Sequence, residues 1–254
     1  MLFDTHAHYN DSRFDSDRDE VLESMHENGI SLIMNACSSV EEIPEITELC
    51  EKYPFMYGAV GIHPQEALGT TEADIELLRR AASHEKIKAI GEIGLDYYYD
   101  EPPREIQQEW FLRQVELAKE LKLPVIIHDR DAHGDTMDIL RYANVRECGG
   151  VFHCYAGSVE MAREILDWGM YIAFGGTLTF KNARKVREVA QYVPIERIVI
   201  ETDSPYLTPD PQRGRRNDSR YMHLVAKKIA DIKGLTYAET ARILTENGKK
   251  LFGI

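Results

Sequence analysis

Short runs of apolar, often β-branched residues recur along this chain, and an amphipathic stretch follows almost every one of them. The runs are bounded by glycine, proline or polar residues, which is typical of strands. Strands that alternate with helices predict βαβ units and a parallel sheet. The predicted strands are Leu2–Thr5, Ser31–Ala36, Met56–Gly61, Ala89–Ile93, Pro124–His128, Gly150–His153, Tyr171–Gly175 and Arg197–Thr202.

Apolar residues at helical spacing mark the stretches between these strands. The predicted helices are Arg18–Asn28, Glu41–Lys52, Ala73–Glu85, Arg104–Lys122, Val159–Trp168, Asn182–Tyr192, Ser219–Ile232 and Thr236–Asn247. Eight strands in a chain of 254 residues fit an α/β fold of the (β/α)8 TIM barrel class, with a doubly wound open sheet as the alternative. No linker, low-complexity tract or repeat period is present, so we expect residues 1–254 to form a single domain.

Composition argues against several classes of protein. The formal net charge of −13 disfavours broad, non-specific adhesion to nucleic acid, which needs clustered lysine and arginine. The four cysteines have no CxxC spacing, as expected for reduced thiols. We see no signal-peptide pattern and no apolar run of membrane-spanning length. These features predict a cytoplasmic protein with no membrane partner and no obligate protein partner.

Residue types that bind metals stand at the carboxyl ends of five predicted strands. His6 and His8 lie two residues apart in the first strand and therefore point to the same face. The carboxyl ends of the strands of a (β/α)8 barrel converge on one rim, where function resides. Imidazole and carboxylate groups are common ligands of transition metals. We therefore predict a divalent metal centre formed by His6, His8, Glu92, His128, His153 and Asp203.

This set of ligands indicates two ions, because a mononuclear catalytic zinc site usually has three protein ligands. Glu92 is the candidate bridge between the two cations, and Asp203 is the candidate acceptor of a proton from the attacking water. Zn, Mn, Mg and Co are the candidate ions. Glu201 is interpreted either as a residue that orients a ligand histidine or as a buried structural acid.

Seven sequence motifs occur in order along the chain. They are DTHAH at 4–8, GIHP at 61–64, GEIGLDYYYD at 91–100, LPVIIHDRDA at 123–132, HCYAGS at 153–158, and ETDSPYL at 201–207 with RGRRN at 213–217. With these motifs the sequence resembles the TatD-type metal-dependent deoxyribonucleases of the amidohydrolase-like superfamily, over essentially its whole length. The resemblance implies a TIM barrel with a divalent metal centre and assigns ligand roles to the same six residues. It also implies phosphodiester hydrolysis by a DNase or 3′→5′ exonuclease.

The resemblance further implies substrate contacts for residues outside the metal set. They are His63, Arg215, Arg216 and Asn217. The RGRRN segment is a basic island in an acidic chain and can hold a phosphate, although a solvated loop is the alternative. The tyrosines at 97–99 are interpreted either as a stacking surface for a base or as caps of the barrel rim. His133 is expected in a loop.

Two departures from the family pattern concern the expected substrate rim. Gln65 stands where many relatives have a histidine, and Asp218–Ser219 stands where many have Glu-Pro. The metal ligands are intact, and Glu92 stands where other amidohydrolases carry a carboxylated lysine.

These observations lead to one principal expectation and two alternatives. We expect a divalent-metal-dependent hydrolase that cleaves phosphodiester bonds with metal-activated water and acts on DNA strand ends, single-stranded in preference. One alternative is a hydrolase of small esters, lactones, amides or aminoacyl-RNA on the same barrel. The other is a non-catalytic metal-binding protein, which predicts that strand-end ligands are lost, and none is lost here.

Overall fold

A computed structural model of the chain describes residues 1–254. Eight strands form one sheet in which each strand lies beside the next along the chain. The strands are β1 (Leu2–Ala7), β2 (Ile30–Ala36), β3 (Met56–Val60), β4 (Ile87–Asp96), β5 (Val125–Arg130), β6 (Gly150–Phe152), β7 (Tyr171–Phe174) and β8 (Ile198–Ile200).

Helices separate consecutive strands, with additional helices after the last one. They are α1 (Arg18–Glu23), α2 (Ile43–Lys52), α3 (Glu72–Ala81), α4 (Arg104–Leu121), α5 (His133–Tyr142), α6 (Val159–Asp167), α7 (Arg184–Tyr192), α8 (Met222–Lys233) and α9 (Tyr237–Phe252). None of these helices has both the length and the apolar character needed to cross a membrane.

The chain divides into two compact units. The first unit consists of Met1–Asn35, Cys154–Asp167 and Tyr171–Ile254. The second consists of Ala36–His153 and Trp168–Met170. The expectation of a single domain over residues 1–254 stays a prediction.

In the first unit the last strand of the chain lies beside the first. Ala7 and Ser204 form a parallel bridge, and the backbone N–H of His8 donates to the carbonyl of Ser204 at 2.8 Å. The N–H of Asp203 donates to the carbonyl of His6 at 3.0 Å. Eight strands in chain order, with the eighth beside the first, are the topology of a parallel barrel and not of an open sheet.

A fully buried carboxylate holds β1 against the segments that follow β8. Asp4 accepts hydrogen bonds from the backbone N–H of Thr202 at 3.0 Å and from the hydroxyls of Thr202 and Ser219 at 2.6 Å each. Burial raises the pKa of Asp4 to about 6, and these hydrogen bonds oppose the rise. Because Asp4 precedes His6 by two residues and Thr202 precedes Asp203, the network fixes the backbone beside both side chains.

In the second unit, two buried glutamines of α4 hold the ends of β3 and β4. The amide of Gln114 bonds both the N–H and the carbonyl of Ile62, at 2.7 and 3.1 Å. The amide of Gln107 does the same for Asp96, at 2.9 and 3.1 Å. The two glutamines are separated by about two helical turns and therefore lie on one face of α4. This face fixes the backbone at Asp96 and directly before His63.

The predicted strands and most helices are confirmed, with boundaries displaced by a few residues. The largest omission is α5, which the sequence analysis did not contain. His133 is the first residue of α5, so its placement in a loop was wrong. Gly134 disfavours helix at the second position, while the bond from His133 Nδ1 to the Asp129 carboxylate, 2.7 Å long, anchors the first turn. Helix α1 is also shorter than predicted and ends at Glu23.

We predict that Gln107→Leu lowers the free energy of unfolding by about 2–3 kcal/mol, because the buried N–H and carbonyl of Asp96 lose their partner. Urea denaturation measures this change. Gln191→Leu, at an exposed position, serves as the control and is expected to change stability by less than about 0.5 kcal/mol. Equal midpoints for the two variants would contradict the anchoring role of α4.

Candidate metal centre

The first unit carries a cluster of two imidazoles and one carboxylate, which we call the first cluster. The Nε2 atoms of His6 and His8 lie 3.0 Å apart, with their rings edge to face. Asp203 Oδ1 lies 3.7 Å from the first of these nitrogens and 3.5 Å from the second. Both histidines are buried, whereas 18% of the Asp203 side chain reaches solvent. Three donor atoms thus surround one point.

Local backbone geometry explains how these side chains meet. His6 lies in β1 and His8 directly follows its last residue, so the extended backbone places the two side chains, two residues apart, on the same face. Asp203 has a φ of 55°, in the left-handed region that aspartate enters more readily than most residues. Its N–H donates to the carbonyl of His6, and its carbonyl accepts from the N–H of Tyr206 at 2.8 Å. These two bonds hold the turn that directs the Asp203 carboxylate toward the imidazoles.

The donor set of the first cluster fits a divalent cation. Two nitrogens that bind a tetrahedral zinc ion at about 2.0–2.1 Å lie roughly 3.3 Å apart, close to the separation between His6 and His8. The ligand atoms of His6, His8 and Asp203 all lie within 4.8 Å of one another. Imidazole nitrogen with carboxylate oxygen suits zinc, manganese or cobalt.

The second unit carries a larger set, the second cluster, built around Glu92. The Glu92 Oε1 atom lies 2.6 Å from His128 Nδ1, 2.7 Å from His153 Nε2 and 3.8 Å from His63 Nε2. Glu92 is 3% exposed, so water contributes little to its solvation. A buried carboxylate needs cationic or hydrogen-bonding partners, and three imidazoles supply them here.

Asp96 also belongs to the second cluster, and the sequence analysis missed it. Its Oδ2 atom lies 3.2 Å from His128 Nε2, and the residue is 1% exposed. The predicted fourth strand ended at Ile93, whereas β4 continues to Asp96. Because strand side chains alternate, Asp96 shares the face of Glu92, four residues earlier. A longer strand assignment would have revealed this signal.

The two carboxylates of the second cluster change the protonation of the imidazole between them. Burial opposes a charge on His128, but the hydrogen bonds that its ring donates to Asp96 and Glu92 outweigh this effect and raise the pKa of His128 to about 10. Burial likewise opposes charge on Asp96, yet the bond to His128 lowers its pKa. Each ring nitrogen of His128 faces a carboxylate oxygen, the arrangement expected for an imidazolium.

Within each unit the predicted ligands come together. His6, His8 and Asp203 meet in the first unit, while Glu92, His128 and His153 meet in the second, with the predicted substrate residue His63 beside them. The assignment of Glu92 as a bridge between two ions stays a prediction. Glu201 is fully buried after β8 and accepts a hydrogen bond from the N–H of Cys154. Its orienting role also stays a prediction.

The three residues proposed for the basic island differ in what their side chains contact. The Arg216 guanidinium pairs with both oxygens of Asp17 at 2.7 Å. The amide of Asn217 is buried and donates to the carbonyls of Thr202 at 2.9 Å and Tyr206 at 2.7 Å. Arg215 is exposed, and its guanidinium contacts no acidic side chain. Of the three, Arg215 has the side chain most available to an external phosphate.

Comparison with known proteins decides the family. A family model described as TatD related DNase matches residues 3–253. The chain belongs to the TatD-related DNase family. A metal-dependent hydrolase of Bacillus subtilis, YabD, is 46% identical over 254 residues and covers 100% of both chains. The 3′-5′ ssDNA/RNA exonuclease TatD of Escherichia fergusonii is 30% identical over 259 residues, covering 100% of this chain and 99% of its own.

Solved structures support the same assignment. The crystal structure of YjjV, a TatD homologue from Escherichia coli K12, superposes with a TM-score of 0.93 and 30% identity, covering 100% of this chain and 98% of the other. An uncharacterised amidohydrolase from Saccharomyces cerevisiae shares the fold, with a TM-score of 0.84 at 17% identity. The predicted (β/α)8 barrel is confirmed, and this TatD-family protein is a metal-dependent hydrolase with His, Glu and Asp groups positioned to bind metal.

We predict that metal binding by this TatD-family protein releases protons and strengthens as the pH rises. Because a metal ion binds neutral imidazole, His128 must lose the proton that its raised pKa retains at pH 7. Below that pKa the association constant for Mn²⁺ or Zn²⁺ should rise about tenfold per pH unit. Calorimetry at pH 6, 7 and 8 in buffers of different ionisation enthalpy measures both effects. Affinity that stays constant over this range, without proton release, would contradict the assignment.

Proposed function

We propose that this protein is a divalent-metal-dependent nuclease that removes nucleotides from the 3′ end of single-stranded DNA. The observation that carries the proposal is the pair of buried histidine–carboxylate clusters, each able to hold one divalent ion. His6, His8 and Asp203 would hold the ion of the first cluster, and Glu92, His128 and His153 that of the second. The family match and the relative from Escherichia fergusonii, a 3′-5′ ssDNA/RNA exonuclease, support the nucleic-acid substrate and the direction.

A phosphodiester is an anion, so the carboxylates of both clusters would repel it unless their charge were balanced. When bound, divalent cations lower the pKa of water and stabilise the charge that develops on the phosphate oxygens. The imidazoles contribute neutral nitrogen ligands and no negative charge. With one divalent ion each, the first cluster, which has the single carboxylate of Asp203, becomes net positive, and the second, which has Glu92 and Asp96, becomes neutral. Neither cluster then repels a phosphate.

His63 has a defined hydrogen-bonding role in this proposal. Its Nδ1 atom accepts the backbone N–H of Gln65 at 3.2 Å, so the neutral ring carries its proton on Nε2. That nitrogen lies on the side of the ring nearest Glu92, at 3.8 Å. In the proposed nuclease this nitrogen donates to a phosphate oxygen of the bound substrate. The substitution of Gln65 for the histidine of relatives leaves this bond intact, because only the backbone of residue 65 makes it.

Asp203 is the proposed proton acceptor. The proton acceptor among the six proposed metal ligands must be a carboxylate with access to solvent, because the proton has to leave after each turnover. Asp203 meets this requirement, since part of its side chain is exposed. Glu92 is nearly inaccessible and already bonded to two imidazoles, which suits a ligand better than a base.

We predict that chelation of divalent ions abolishes cleavage of end-labelled single-stranded DNA and that added Mn²⁺, Co²⁺ or Zn²⁺ restores it. Glu92→Gln should lower kcat by at least about 10²-fold and reduce bound metal, because one charged ligand is lost. Product analysis on gels, metal analysis and circular dichroism measure activity, binding and fold. Glu85→Gln, at an exposed position, is the matched control and should behave as wild type.

The same assay separates the proposed function from its alternative. A ladder of DNA products shortened from the 3′ end, with release of mononucleotides, supports exonuclease activity. A panel of esters, lactones and aminoacyl-RNA is tested in parallel. Rapid turnover of a panel member with no cleavage of polynucleotide would refute the nuclease proposal, while full activity of Glu92→Gln would refute the role of the second cluster.

The basic island yields a prediction that distinguishes its two arginines. Arg215→Ala should raise KM for single-stranded DNA about fivefold, because an exposed phosphate contact is lost. It should also lower the salt dependence of binding by the amount expected for the loss of about one phosphate contact. Arg216→Ala should chiefly lower stability, since its guanidinium is paired with Asp17. Steady-state kinetics at several salt concentrations test this, with the exposed Arg242→Ala as control. Equal KM values for Arg215→Ala and Arg242→Ala would contradict the proposed contact between Arg215 and a phosphate.

A further inference from the structure

Two tyrosines directly after β4 expose more than half of their surface to solvent. Tyr98 is 58% exposed and Tyr99 is 55% exposed, and their rings meet edge to face with centroids 5.0 Å apart. The guanidinium carbon of Arg130 lies 3.9 Å from the centroid of the Tyr98 ring and 5.2 Å from that of Tyr99. We call these three side chains the Tyr–Arg surface.

The backbone of the Tyr–Arg surface is tied directly to the second cluster. Asp96 Oδ1 accepts the N–H groups of Tyr98 at 3.0 Å and Tyr99 at 3.3 Å, while its other oxygen contacts His128. Arg130 pairs in register with Asp96 and lies two residues after His128. One buried carboxylate therefore positions both the tyrosine turn and a proposed metal ligand. The Tyr–Arg surface is therefore joined to the second cluster through Asp96.

The neighbouring Tyr97 illustrates what a tyrosine used for packing looks like. Its hydroxyl donates to Asp135 and accepts from Gln108, at 2.7 Å each, and the Arg104 guanidinium covers its ring at 4.2 Å. On the Tyr–Arg surface, by contrast, the hydroxyls have no hydrogen-bond partner and the guanidinium makes no ion pair. Internal packing therefore does not account for this surface.

We propose that the Tyr–Arg surface binds single-stranded DNA at a nucleotide next to the bond that is cleaved. A base stacks on an exposed tyrosine ring, and the Arg130 guanidinium binds the phosphate of the same strand. The inference rests on the proposed nuclease function and adds to it the residues that favour a polynucleotide over a small ester.

The chemistry of the three side chains matches this ligand. Every base has a π face, so stacking on tyrosine tolerates any sequence and contributes roughly tenfold in affinity per base. A planar guanidinium both stacks on aromatic rings and forms paired hydrogen bonds to phosphate. In a chain of net charge −13, an arginine without an acidic partner beside two exposed rings complements an anionic, aromatic ligand.

The test compares a labelled single-stranded oligonucleotide with the small diester bis(p-nitrophenyl) phosphate. For the double variant Tyr98→Ala/Tyr99→Ala we expect KM for the oligonucleotide to rise about tenfold or more, and by much more than KM for the small diester. Tyr98→Phe/Tyr99→Phe should retain most of the affinity because stacking uses the ring face. Tyr142→Ala is the matched control, since Tyr142 is 80% exposed in the same unit. Arg130→Ala should lower the salt dependence of oligonucleotide binding by about 0.7 in the log–log slope.

A second measurement isolates stacking from structural damage. Oligonucleotides carrying one abasic site are compared, with the site moved one nucleotide at a time from the 3′ end. The wild-type enzyme should lose affinity at the position where the missing base stacks. The double alanine variant should lose no affinity at that position, because the base and the tyrosine rings contribute through one shared contact and the two losses are not additive.

The outcomes distinguish this inference from the nuclease proposal. An unchanged KM in the double alanine variant, an equal loss on both substrates, or an abasic penalty that persists in that variant would overturn the Tyr–Arg surface and leave the nuclease standing. A wild-type enzyme that hydrolyses the small diester but no polynucleotide would overturn the proposed function itself.

Discussion

The chemistry of this protein depends on carboxylates that are kept out of water beside imidazoles. Glu92 and Asp96 are almost fully buried, and ionised groups in that position require compensating charge. His128 supplies it as an imidazolium in the metal-free chain, since its pKa is raised by the same two carboxylates. A divalent cation supplies more charge at the same place. The proton and the metal therefore compete for one electrostatic environment, which links metal loading to pH.

The supporting side chains bond backbone groups beside the proposed ligands. Gln107 and Gln114 bond the backbone of β4 and of the segment after β3, and Asp4 bonds the segment after β8. None of these three side chains contacts a proposed ligand atom through its own polar group. This arrangement fixes the backbone that carries the ligands, which is the condition for a preorganised site. A substrate or cation then meets groups whose ordering cost has already been met during folding.

Asp96 connects the metal chemistry with the surface next to it. One of its oxygens faces His128 and the other holds the turn that presents Tyr98 and Tyr99. A change in the charge around His128 therefore acts on Asp96, which also bonds the backbone of that turn. In the proposed nuclease this couples the occupied cluster to the place where a base would stack.

Much of this was predictable because the signals are local. The alternation of apolar runs and amphipathic stretches predicted the eight strands, and the two-residue period of a strand placed His6 and His8 on one face. Asp96 was missed because strand ends are read poorly from sequence, and β4 extends three residues beyond the predicted carboxyl end. Helix α5 was missed because Gly134 interrupts its pattern near the start. The first error concerns a strand boundary and the second a missing helix, and neither changes the class of fold.

The sequence by itself determined the class of fold and the residue types available for metal binding, since both follow from short-range periodicity. Only the tertiary structure decided what each long polar side chain contacts. Arg216 and Asp17 are 199 positions apart and pair, while Arg215, its neighbour, stays exposed. Asn217 turned inward to backbone carbonyls. The partner of a flexible side chain depends on which distant segment folds beside it, and no local pattern contains that information.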